Sequence, residues 1–465
     1  MTSSADPAGA LRALLGADAV LSDVGDCWAY GYDNSRLHAL PAAVVFPRDC
    51  EQVEAVVRYC NQAGLPLTPR GRGTGTAGAA VPERHGIVLS SERLRATPRI
   101  DPADRLAIVE PGVTNAELQQ AAATHGFFWP PDPTSSAVCS IGGNLACNAA
   151  GPRAVKYGTP RENTLGLRAI SGAGECLHTG VMTTKGVVGL DLTRLIIGSE
   201  GTLAIITEAT LKLTPLPETR RTLHAGYRDV RAAAEAVAAI MAQPVTPSAL
   251  EFMDGRAIAM VREHADAGLD PALGALLMIE VDGQSACIDS AVDAVVEAAR
   301  VPGTIDIAIA ETHEQVERLW KTRKALSPAL RTIAPKKINE DVVVPVSRIP
   351  ALIEGLERLA DEHAITIVNF GHAGNGNIHV NLLVDPDDAG ELARAEACLS
   401  GVFDLVLSLD GSLSGEHGIG RVKRGFVARE IDPATLALMR GIQREFDPNG
   451  ILNPGKGLPP PTERL

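Results

Sequence analysis

The sequence predicts a mixed α+β fold in two lobes that divide near residue 216. With 465 residues, the chain is longer than a single compact domain of about 150 residues. Short apolar runs alternate with amphipathic helical patterns through its first half. The breaker cluster Thr214–Pro217 then precedes a second half that is richer in Ala and Val helices. We therefore expect domains over residues 1–216 and 217–440, with a C-terminal segment, 441–465, that returns to the first domain.

Composition argues against several classes of protein. The formal net charge is -13, and an acidic chain has little general attraction for nucleic acid or anionic lipid. No stretch approaches the ~18–20 apolar residues of a membrane span. Met1–Ala10 lacks the basic and apolar regions of a secretory signal, so we expect a cytoplasmic protein. The eight cysteines form no Cys-x-x-Cys pair, which argues against a disulfide framework, a zinc ribbon or an iron–sulfur cluster.

The first lobe is expected to begin with a β-α-β unit. Ala42–Phe46 and Leu65–Pro69 are predicted strands, and the helix between them ends at Gly64. A second helix is predicted over about Asn115–His125, capped by Thr114. The other strands expected in this lobe are Gly86–Ser90, Leu106–Val109, Leu165–Ser171, Leu195–Ile197 and Ala204–Leu213. In the second lobe we expect helices over residues 228–243 and 286–300, and strands at Met278–Val281, Thr304–Ala310, Ile365–Phe370 and Ile378–Val384.

A glycine-rich loop follows the β-α-β unit. Gly73–Gly78 fits the pattern G-x-G-x-x-G, but a nicotinamide-binding Rossmann fold needs these glycines to open a helix. Pro82 and a strand follow instead, so the sequence argues against that fold. Successive backbone N–H groups in such a loop can still form an anion-binding nest, which makes the loop a candidate phosphate site. The alternative is an ordinary surface loop.

A second segment of small residues, Ser140–Gly151, suggests that something large lies against it. Asn144 and Asn148 can offer amide hydrogen bonds to a heterocycle. Pro131-Asp132 before the segment and Lys156–Gly158 after it are expected to complete a wall. The sequence therefore predicts a second ligand-binding station in the first lobe.

Four motifs in this lobe resemble the FAD-binding domain of the vanillyl-alcohol-oxidase/p-cresol-methylhydroxylase (PCMH) flavoprotein superfamily. They are Pro69–Gly78, Pro131–Ser135, Ile141–Ala146 and Gly198–Thr207. The resemblance implies a two-subdomain PCMH-type FAD-binding domain, with the pyrophosphate held by backbone amides of Gly71–Thr76. Many relatives attach FAD covalently to a His, and residues 69–81 contain none, so we expect non-covalent FAD. The cofactor-binding residues that the resemblance implies are Arg70, Gly71, Arg72, Gly73, Thr74, Gly75, Thr76, Gly78, Pro131, Asp132, Ser140, Gly143, Asn144, Cys147, Asn148, Gly151, Tyr157, Gly158, Glu200, Gly201, Ile205, Ile206 and Asn453.

Three further residues in the second half form a candidate metal site. His372 and His379 flank a glycine-rich turn between two predicted strands, so their imidazoles can converge on one ion. Ser414–Gly420 adds Glu416 and a third imidazole. Two histidines and a carboxylate with an open position suit a divalent ion such as Zn²⁺ or Mn²⁺. The alternative is a set of structural histidines.

This half of the chain resembles the branch that contains the glycolate oxidase catalytic subunit, D-lactate dehydrogenases and D-2-hydroxyglutarate dehydrogenase. The segments that carry the resemblance are Gly371–Asn381, Gly415–Gly420 and Phe446–Lys456. The resemblance implies a ferredoxin-like α+β cap, or substrate, domain. It also implies that His372, His379 and Glu416 bind the metal, that His417 is the catalytic base and that Asn381 contacts the substrate.

Two more substrate contacts come from the same resemblance. Leu319–Ser327 resembles the branch's Trp-x-x-Arg segment, which implies that Arg323 clamps the substrate carboxylate, a role that suits the fork of a guanidinium. Lys337 is the candidate for a nearby Lys of the branch. An offset of one or two residues stays open there, and Asn339 is the other occupant of that position.

Together these expectations describe an FAD- and metal-dependent dehydrogenase. It would oxidise a D-2-hydroxy acid of the D-lactate, glycolate or D-2-hydroxyglutarate class to the 2-oxo acid by hydride transfer to flavin N5. Electrons would leave to an external acceptor: an iron–sulfur partner subunit, an electron-transfer flavoprotein, a quinone or a cytochrome. A homodimer also stays open. The alternatives are an FAD-binding subunit of a multi-subunit glycolate oxidase, a non-redox flavoenzyme or an aldonolactone oxidase of the same superfamily, and a metal-dependent hydrolase.

Overall fold

The computed structural model describes residues 6–264 and 270–460, and these residues form two compact units. Unit 1 contains the described parts of Met1–Ala150, Gly158–Leu216 and Glu416–Leu465, and unit 2 those of Gly151–Tyr157 and Pro217–Gly415. The chain leaves unit 1 at the breaker cluster after Leu216. It returns after Gly415, whereas the sequence analysis placed that change near residue 440. Of the stretch on which we expected no secretory signal, Met1–Ala5 lie outside the described residues.

The first half of the chain mixes helices and strands, as predicted. All of its elements belong to unit 1 except α6, which belongs to unit 2. In chain order they are α1 (Pro7–Leu15), β1 (Val20–Leu21), α2 (Val24–Trp28), β2 (Ala43–Val45), α3 (Cys50–Ala63), β3 (Leu67–Arg70), β4 (Ile87–Ser90), β5 (Arg99–Asp101), β6 (Leu106–Val109), α4 (Asn115–Ala123), β7 (Phe127–Phe128), α5 (Ile141–Cys147), α6 (Ala154–Tyr157), β8 (Thr164–Ser171), β9 (Cys176–Gly180), α7 (Leu192–Ile196), β10 (Ala204–Lys212) and β11 (Thr214–Pro215).

The second half continues the alternation and confirms the predicted α+β class. Its elements belong to unit 2 up to α13, and α14 and α15 belong to unit 1. They are β12 (Thr219–Tyr227), α8 (Val230–Ala242), β13 (Ala249–Asp254), α9 (Gly255–His264), β14 (Ala275–Gly283), α10 (Ile288–Ala299), β15 (Thr304–Ile309), α11 (His313–Ile333), β16 (Lys336–Val343), α12 (Ile349–His363), β17 (Thr366–His372), β18 (Asn377–Val384), α13 (Ala389–Ser408), α14 (Val427–Glu430) and α15 (Pro433–Phe446).

Unit 1 is built on two main sheets. In the first, β2, β4 and β3 are parallel neighbours, which confirms the β-α-β unit. The connecting helix α3 begins after the Asp49 cap, ends at the left-handed Gly64 and buries the residues of one face. Each such buried aliphatic side chain contributes about 1.5–3 kcal/mol relative to an exposed one. The second sheet is antiparallel, with the order β5-β6-β10-β8-β9.

One predicted strand of unit 1 is wrong. The apolar run Leu195–Ile197 lies mainly in helix α7. Asp191 caps that helix by accepting a hydrogen bond from the Arg194 backbone N–H, and Gly198 follows with φ +85°. The run resembled a buried strand in sequence, yet Leu195 is 36% exposed. A capping Asp and a left-handed Gly are helix boundary signals, and they outweigh a three-residue apolar pattern.

Unit 2 is built on one seven-stranded antiparallel sheet with the order β15-β12-β14-β13-β17-β18-β16. Its first four strands in sequence lie in the order 4-1-3-2, and α8 and α10 connect them. This is the ferredoxin-like arrangement, as the sequence analysis expected. The strands β17, β18 and β16 extend the sheet beyond that core. None of the helices that the structure describes has the length and hydropathy of a membrane span.

Candidate active site

The two histidines expected to bind metal lie in the β17–β18 hairpin of unit 2. His372 is the last residue of β17. His379 lies in β18, opposite Phe370 of β17. Both residues are buried, and their ring centroids are 5.2 Å apart. Gly376 in the connecting turn has φ +72°, and a Cβ there would overlap the carbonyl oxygen of Val344. The turn therefore requires glycine, and this turn determines how close the two rings lie.

The strand register places several polar side chains on the same face of the sheet. Residues that are directly opposite on neighbouring strands point to the same side, and the side alternates along each strand. His379 lies opposite Asp341 of β16, and Asn381 lies opposite Asn339. In β13, Glu251 lies opposite His372. The polar residues on this face therefore include Glu251, His372, His379, Asn381, Lys337, Asn339 and Asp341.

Glu251 is a buried carboxylate that contacts two of the predicted site residues. One of its oxygens, Oε1, lies 2.6 Å from Nδ1 of His372, and the other, Oε2, accepts a hydrogen bond of 2.7 Å from Nε of Arg323. Burial raises the pKa of the Glu251 carboxyl, but His372, Arg323 and their hydrogen bonds to it outweigh burial and lower it. The sequence analysis missed this residue. Its signal was a glutamate inside the apolar run Ala249–Met253, all of which is buried.

Arg323 reaches this face from helix α11. Its side chain is 8% exposed, and the guanidinium carbon lies 5.0 Å from the ring centroid of Phe370. Because Nε–H is committed to Glu251, a substrate carboxylate would meet the two terminal nitrogens of the guanidinium. The predicted carboxylate clamp is thus compatible with its position, and the role itself stays a prediction.

Asn381 is fully buried and uses its amide nitrogen within the sheet. Nδ2 donates to the backbone oxygens of Val368 and His379 at 3.1 and 3.2 Å. Its Oδ1 has no hydrogen-bond partner among the described residues, and the same holds for Oδ1 of Asn339. A buried acceptor without a partner is costly. Two such acceptors lie opposite one another on this face, so a donor from a bound ligand fits here.

The segment that leads to Glu416 is bound to the same edge of the sheet. Ser414 Oγ donates to the Asp341 carboxylate at 3.0 Å, and the Gly415 N–H donates to it at 2.9 Å. Glu416 is joined to Gly415 by one peptide bond, at the point where the chain passes into unit 1. The imidazoles of His372 and His379 and the carboxylate of Glu416 are the three donors that the sequence analysis assigned to one ion. This donor set fits a divalent transition metal.

In unit 1, the carboxylate of Glu200 holds the turn that follows His417. It accepts hydrogen bonds from the backbone N–H groups of Ile419 at 2.8 Å and of Gly420 at 2.9 and 3.0 Å. Gly418 has φ +81°, and a Cβ there would overlap Oε1 of Glu200. Burial raises the pKa of the Glu200 carboxyl to about 7, against the lowering effect of the two N–H groups. Glu200 was predicted from the resemblance as a cofactor-binding residue, and its side chain is directed to this turn.

Two backbone N–H groups of the glycine-rich loop after β3 are oriented as an anion-binding site requires. Asn34 binds the carbonyl oxygens of Thr74 at 3.2 Å and of Gly75 at 2.9 Å. In a trans peptide the N–H points opposite to the C=O, so the N–H groups of Gly75 and Thr76 point away from Asn34. Neither has a hydrogen-bond partner among the described residues. A Cβ at Gly75 would meet nothing within 4 Å, so this backbone is open to a ligand, as the pyrophosphate of FAD requires.

The neighbouring small residues allow the backbone of this region to pack closely. A Cβ at Gly71 would overlap Oγ of Ser140, which caps helix α5, and a Cβ at Gly201 would overlap Pro69. Asn453 donates from Nδ2 to the backbone oxygens of Ala79 and Glu200 at 2.9 and 2.7 Å, and its buried Oδ1 has no partner among the described residues. The closely packed backbone around Gly71 and Gly201 and the unpaired Oδ1 of Asn453 therefore fit a bound cofactor.

Other predicted cofactor residues have structural partners. Oδ1 of Asn144 accepts from Asn115, and Oδ1 of Asn148 accepts from Thr159 and the Arg161 backbone. Gly151 and Tyr157 belong to unit 2, where the Tyr157 hydroxyl donates to Asp282 at 2.9 Å. The remaining predicted cofactor residues, all in unit 1, are Arg70, Arg72, Gly73, Thr74, Gly78, Pro131, Asp132, Gly143, Cys147, Gly158, Ile205 and Ile206.

The fold defines a structural class, the PCMH-type fold. Solved structures with the same fold include p-cresol methylhydroxylase with substrate bound (TM-score 0.80, 19% identity, 98% of each chain) and 4-ethylphenol oxidase from Gulosibacter chungangensis (TM-score 0.79, 20% identity, 99% of this chain and 98% of that one). An FAD binding domain matches residues 41–180.

The chain belongs to the family of FAD-linked oxidases, whose C-terminal domain matches residues 216–457. It is 35% identical to the glycolate oxidase subunit GlcD of Bacillus subtilis, over 92% of this chain and 91% of that one. It is 33% identical to D-2-hydroxyglutarate dehydrogenase of Stutzerimonas stutzeri (96% and 97%) and 36% identical to D-lactate dehydrogenase of Archaeoglobus fulgidus (92% and 95%). The predicted family, and with it an FAD-linked enzyme of this type, is confirmed.

Proposed function

We propose that this protein oxidises a D-2-hydroxy acid to the 2-oxo acid with non-covalent FAD and a divalent metal. The observation that carries the proposal is the single sheet face that holds His372, His379 and Asn381 beside the Glu251–Arg323 pair. The names of the relatives support the substrate class, because glycolate, D-lactate and D-2-hydroxyglutarate share a carboxylate with a hydroxyl on the adjacent carbon. The experiment below identifies which acid of this class is the substrate.

A cofactor and a metal ion would divide the chemistry between them. When bound, FAD would supply the hydride acceptor, and a Zn²⁺ or Mn²⁺ ion, which His372, His379 and Glu416 would hold, would supply Lewis acidity. A covalent FAD linkage through the pyrophosphate loop is not part of the proposal, because residues 69–81 contain no His.

The protein's own residues bind and orient the acid. The two terminal nitrogens of Arg323 bind the carboxylate as a fork, which is the geometry that a guanidinium favours. Lys337, on the same face two residues before Asn339, adds positive charge for that carboxylate. Asn381 is a further substrate contact on this face, and its Oδ1 has no hydrogen-bond partner among the described residues.

His417 removes the proton of the substrate hydroxyl in this proposal. Imidazole is the side chain most often used as a general base. The turn after His417 is held by three hydrogen bonds to Glu200, and such support limits how far a base can move. Its role is proposed from the match to the family motif Gly415–Gly420.

The proposal predicts metal-dependent flavin reduction. Stopped-flow measurement without oxygen, with D- and L-2-hydroxy acids, is expected to show flavin bleaching that EDTA abolishes. His379→Ala is expected to reduce the rate at least about 100-fold and to lower the bound metal, since removing one ligand of a metal site weakens the remaining ones. The matched control is His313→Ala, because His313 lies in the same unit with a side chain that is 85% exposed. Unchanged bleaching in the fully metal-free protein would disprove the metal's role, and no bleaching with any acid would disprove the reaction.

The name of one relative favours a partner subunit as the electron acceptor. Glycolate oxidase GlcD is named as a subunit, and the chain has no Cys-x-x-Cys pair for an iron–sulfur cluster of its own. We therefore propose that electrons leave the reduced flavin to a separate electron-transfer protein. Reoxidation rates with oxygen, a quinone analogue and an iron–sulfur protein would rank these acceptors.

A further inference from the structure

We propose that Glu251 is a positioning residue for the metal site: it orients His372 and holds Arg323 beside it. The inference rests on the proposed function, because it concerns the ligands named there. Glu251 does not belong to any motif that the sequence analysis carried over. It lies in the middle of β13, opposite His372 in the register.

The first step of the argument is the state of the His372 ring. Its Nδ1 lies 2.6 Å from Oε1 of Glu251, and a carboxylate oxygen can only accept. Nδ1 therefore carries a proton, and in the neutral ring, which is the form that binds metals, the lone pair is on Nε2. Histidines that bind metals commonly donate their other N–H to a carboxylate, which fixes the tautomer and the ring orientation and makes the ligand more basic. Nε2 of His372 is thus the ring atom that can act as a metal ligand.

The second step is the pairing of charges. Glu251 is 1% exposed and its second oxygen accepts from Nε of Arg323 at 2.7 Å. A buried carboxylate without compensating partners is strongly unfavourable, and so is a buried guanidinium. Each of the two oxygens therefore serves one partner, and the same carboxylate places a metal ligand and the proposed substrate clamp relative to each other.

The third step identifies a substitution that removes the charge of Glu251 and keeps the size of its side chain. In Glu251→Gln the amide oxygen can still accept from one partner. The amide nitrogen can only donate, so it meets either the Nδ1–H of His372 or the Nε–H of Arg323 as donor against donor. The variant keeps the volume of the side chain and breaks one of its two contacts.

Unit 2 offers a matched control for this change. Glu280 of β14 is also a buried carboxylate, paired with Arg220 at 3.1 Å and near Ser248 Oγ at 3.4 Å. It has no contact with the histidines among the described residues. Glu280→Gln therefore imposes the same chemical change in the same sheet, on a carboxylate that no described contact joins to His372 or Arg323.

The experiment measures the affinity of the FAD-loaded protein for Zn²⁺ and Mn²⁺ by competition with a chelator. Glu251→Gln is expected to weaken metal binding roughly 10–100-fold while FAD content stays at the wild-type level. Glu251→Asp keeps the charge on a shorter arm and is expected to lie in between. Glu280→Gln is expected to bind metal like the wild type. Far-UV circular dichroism establishes that each variant is folded.

Wild-type metal affinity in folded Glu251→Gln would overturn the inference. If that variant does not fold, Glu251→Asp decides, and equal affinity there overturns it as well. A second readout is the Michaelis constant, because the loss of the Glu251 contact to Arg323 is expected to raise KM for the acid as well as to lower kcat. A wild-type protein that binds no metal at all would instead disprove the proposed function, so the two failures are distinguishable.

Discussion

At the scale of single residues, the candidate site depends on side chains that bind the same carboxylate, Glu251, or that lie on the same face of the sheet. Arg323 is the clearest case, because its three nitrogens divide between two tasks. Nε binds Glu251, and the terminal nitrogens are left for a substrate. A lysine ammonium is a single point charge and cannot serve both sides of such an arrangement.

Arg323→Lys is therefore expected to raise KM for the 2-hydroxy acid by roughly 10–100-fold, the loss that corresponds to a hydrogen bond between charged groups. Stopped-flow flavin reduction at a series of acid concentrations measures this change. Arg318→Lys is the control, since Arg318 lies on the same helix and its side chain is 57% exposed. An unchanged KM in Arg323→Lys would show that Arg323 does not bind the carboxylate.

At the scale of elements, local signals predicted most helices and strands well. Thr114 caps α4 with a full capping box, and Gly64 ends α3, both as expected. Ile365–Phe370 and Ile378–Val384 were predicted as strands and are the hairpin β17–β18. The prediction failed at α7. Its apolar run has only three residues, and the helix boundary signals on either side, Asp191 and Gly198, decide the local structure.

The β17–β18 hairpin gives a prediction about its turn. Gly376→Ala is expected to lower the unfolding temperature by several degrees and to weaken metal binding, because an L side chain is strained at φ +72° and its Cβ would overlap the Val344 carbonyl. The control is Gly283→Ala in β14, where a Cβ meets nothing within 4 Å. Differential scanning fluorimetry and chelator competition measure the two effects. A Gly376→Ala protein that matches Gly283→Ala in both would contradict the role of the turn.

At the scale of the whole molecule, the chain after Gly415 belongs to unit 1. Lys456 on this segment is completely buried, and its Nζ is 3.8 Å from Glu83 Oε1, too far for a hydrogen bond. Burial lowers the pKa of the Lys456 ammonium to about 8. The unfolded chain, with an ordinary lysine pKa, therefore binds this proton more tightly than the folded protein does.

Between about pH 8 and the ordinary lysine pKa, the unfolded state holds more protons, so the contribution of Lys456 to stability increases as pH rises. Below that window both states are protonated, and this contribution is at its lowest. Lys456→Met removes the titrating group. The unfolding temperature of the wild type minus that of the variant is therefore expected to increase from pH 7.5 to pH 10. Parallel thermal scans over this range measure the difference. A difference that stays constant with pH would contradict the lowered pKa.

The sequence by itself determined the local chemistry of this protein: the glycine loop after β3, the two histidines flanking a turn, the helix caps and the motifs that carry the family. These depend on residues close together in the chain. Only the tertiary structure decided that Glu251 lies opposite His372, that Gly151–Tyr157 belongs to unit 2 and that the chain returns to unit 1 at Glu416. Such pairings depend on strand register and on contacts between distant segments, because a side chain's partner across a sheet is set by how the strands align.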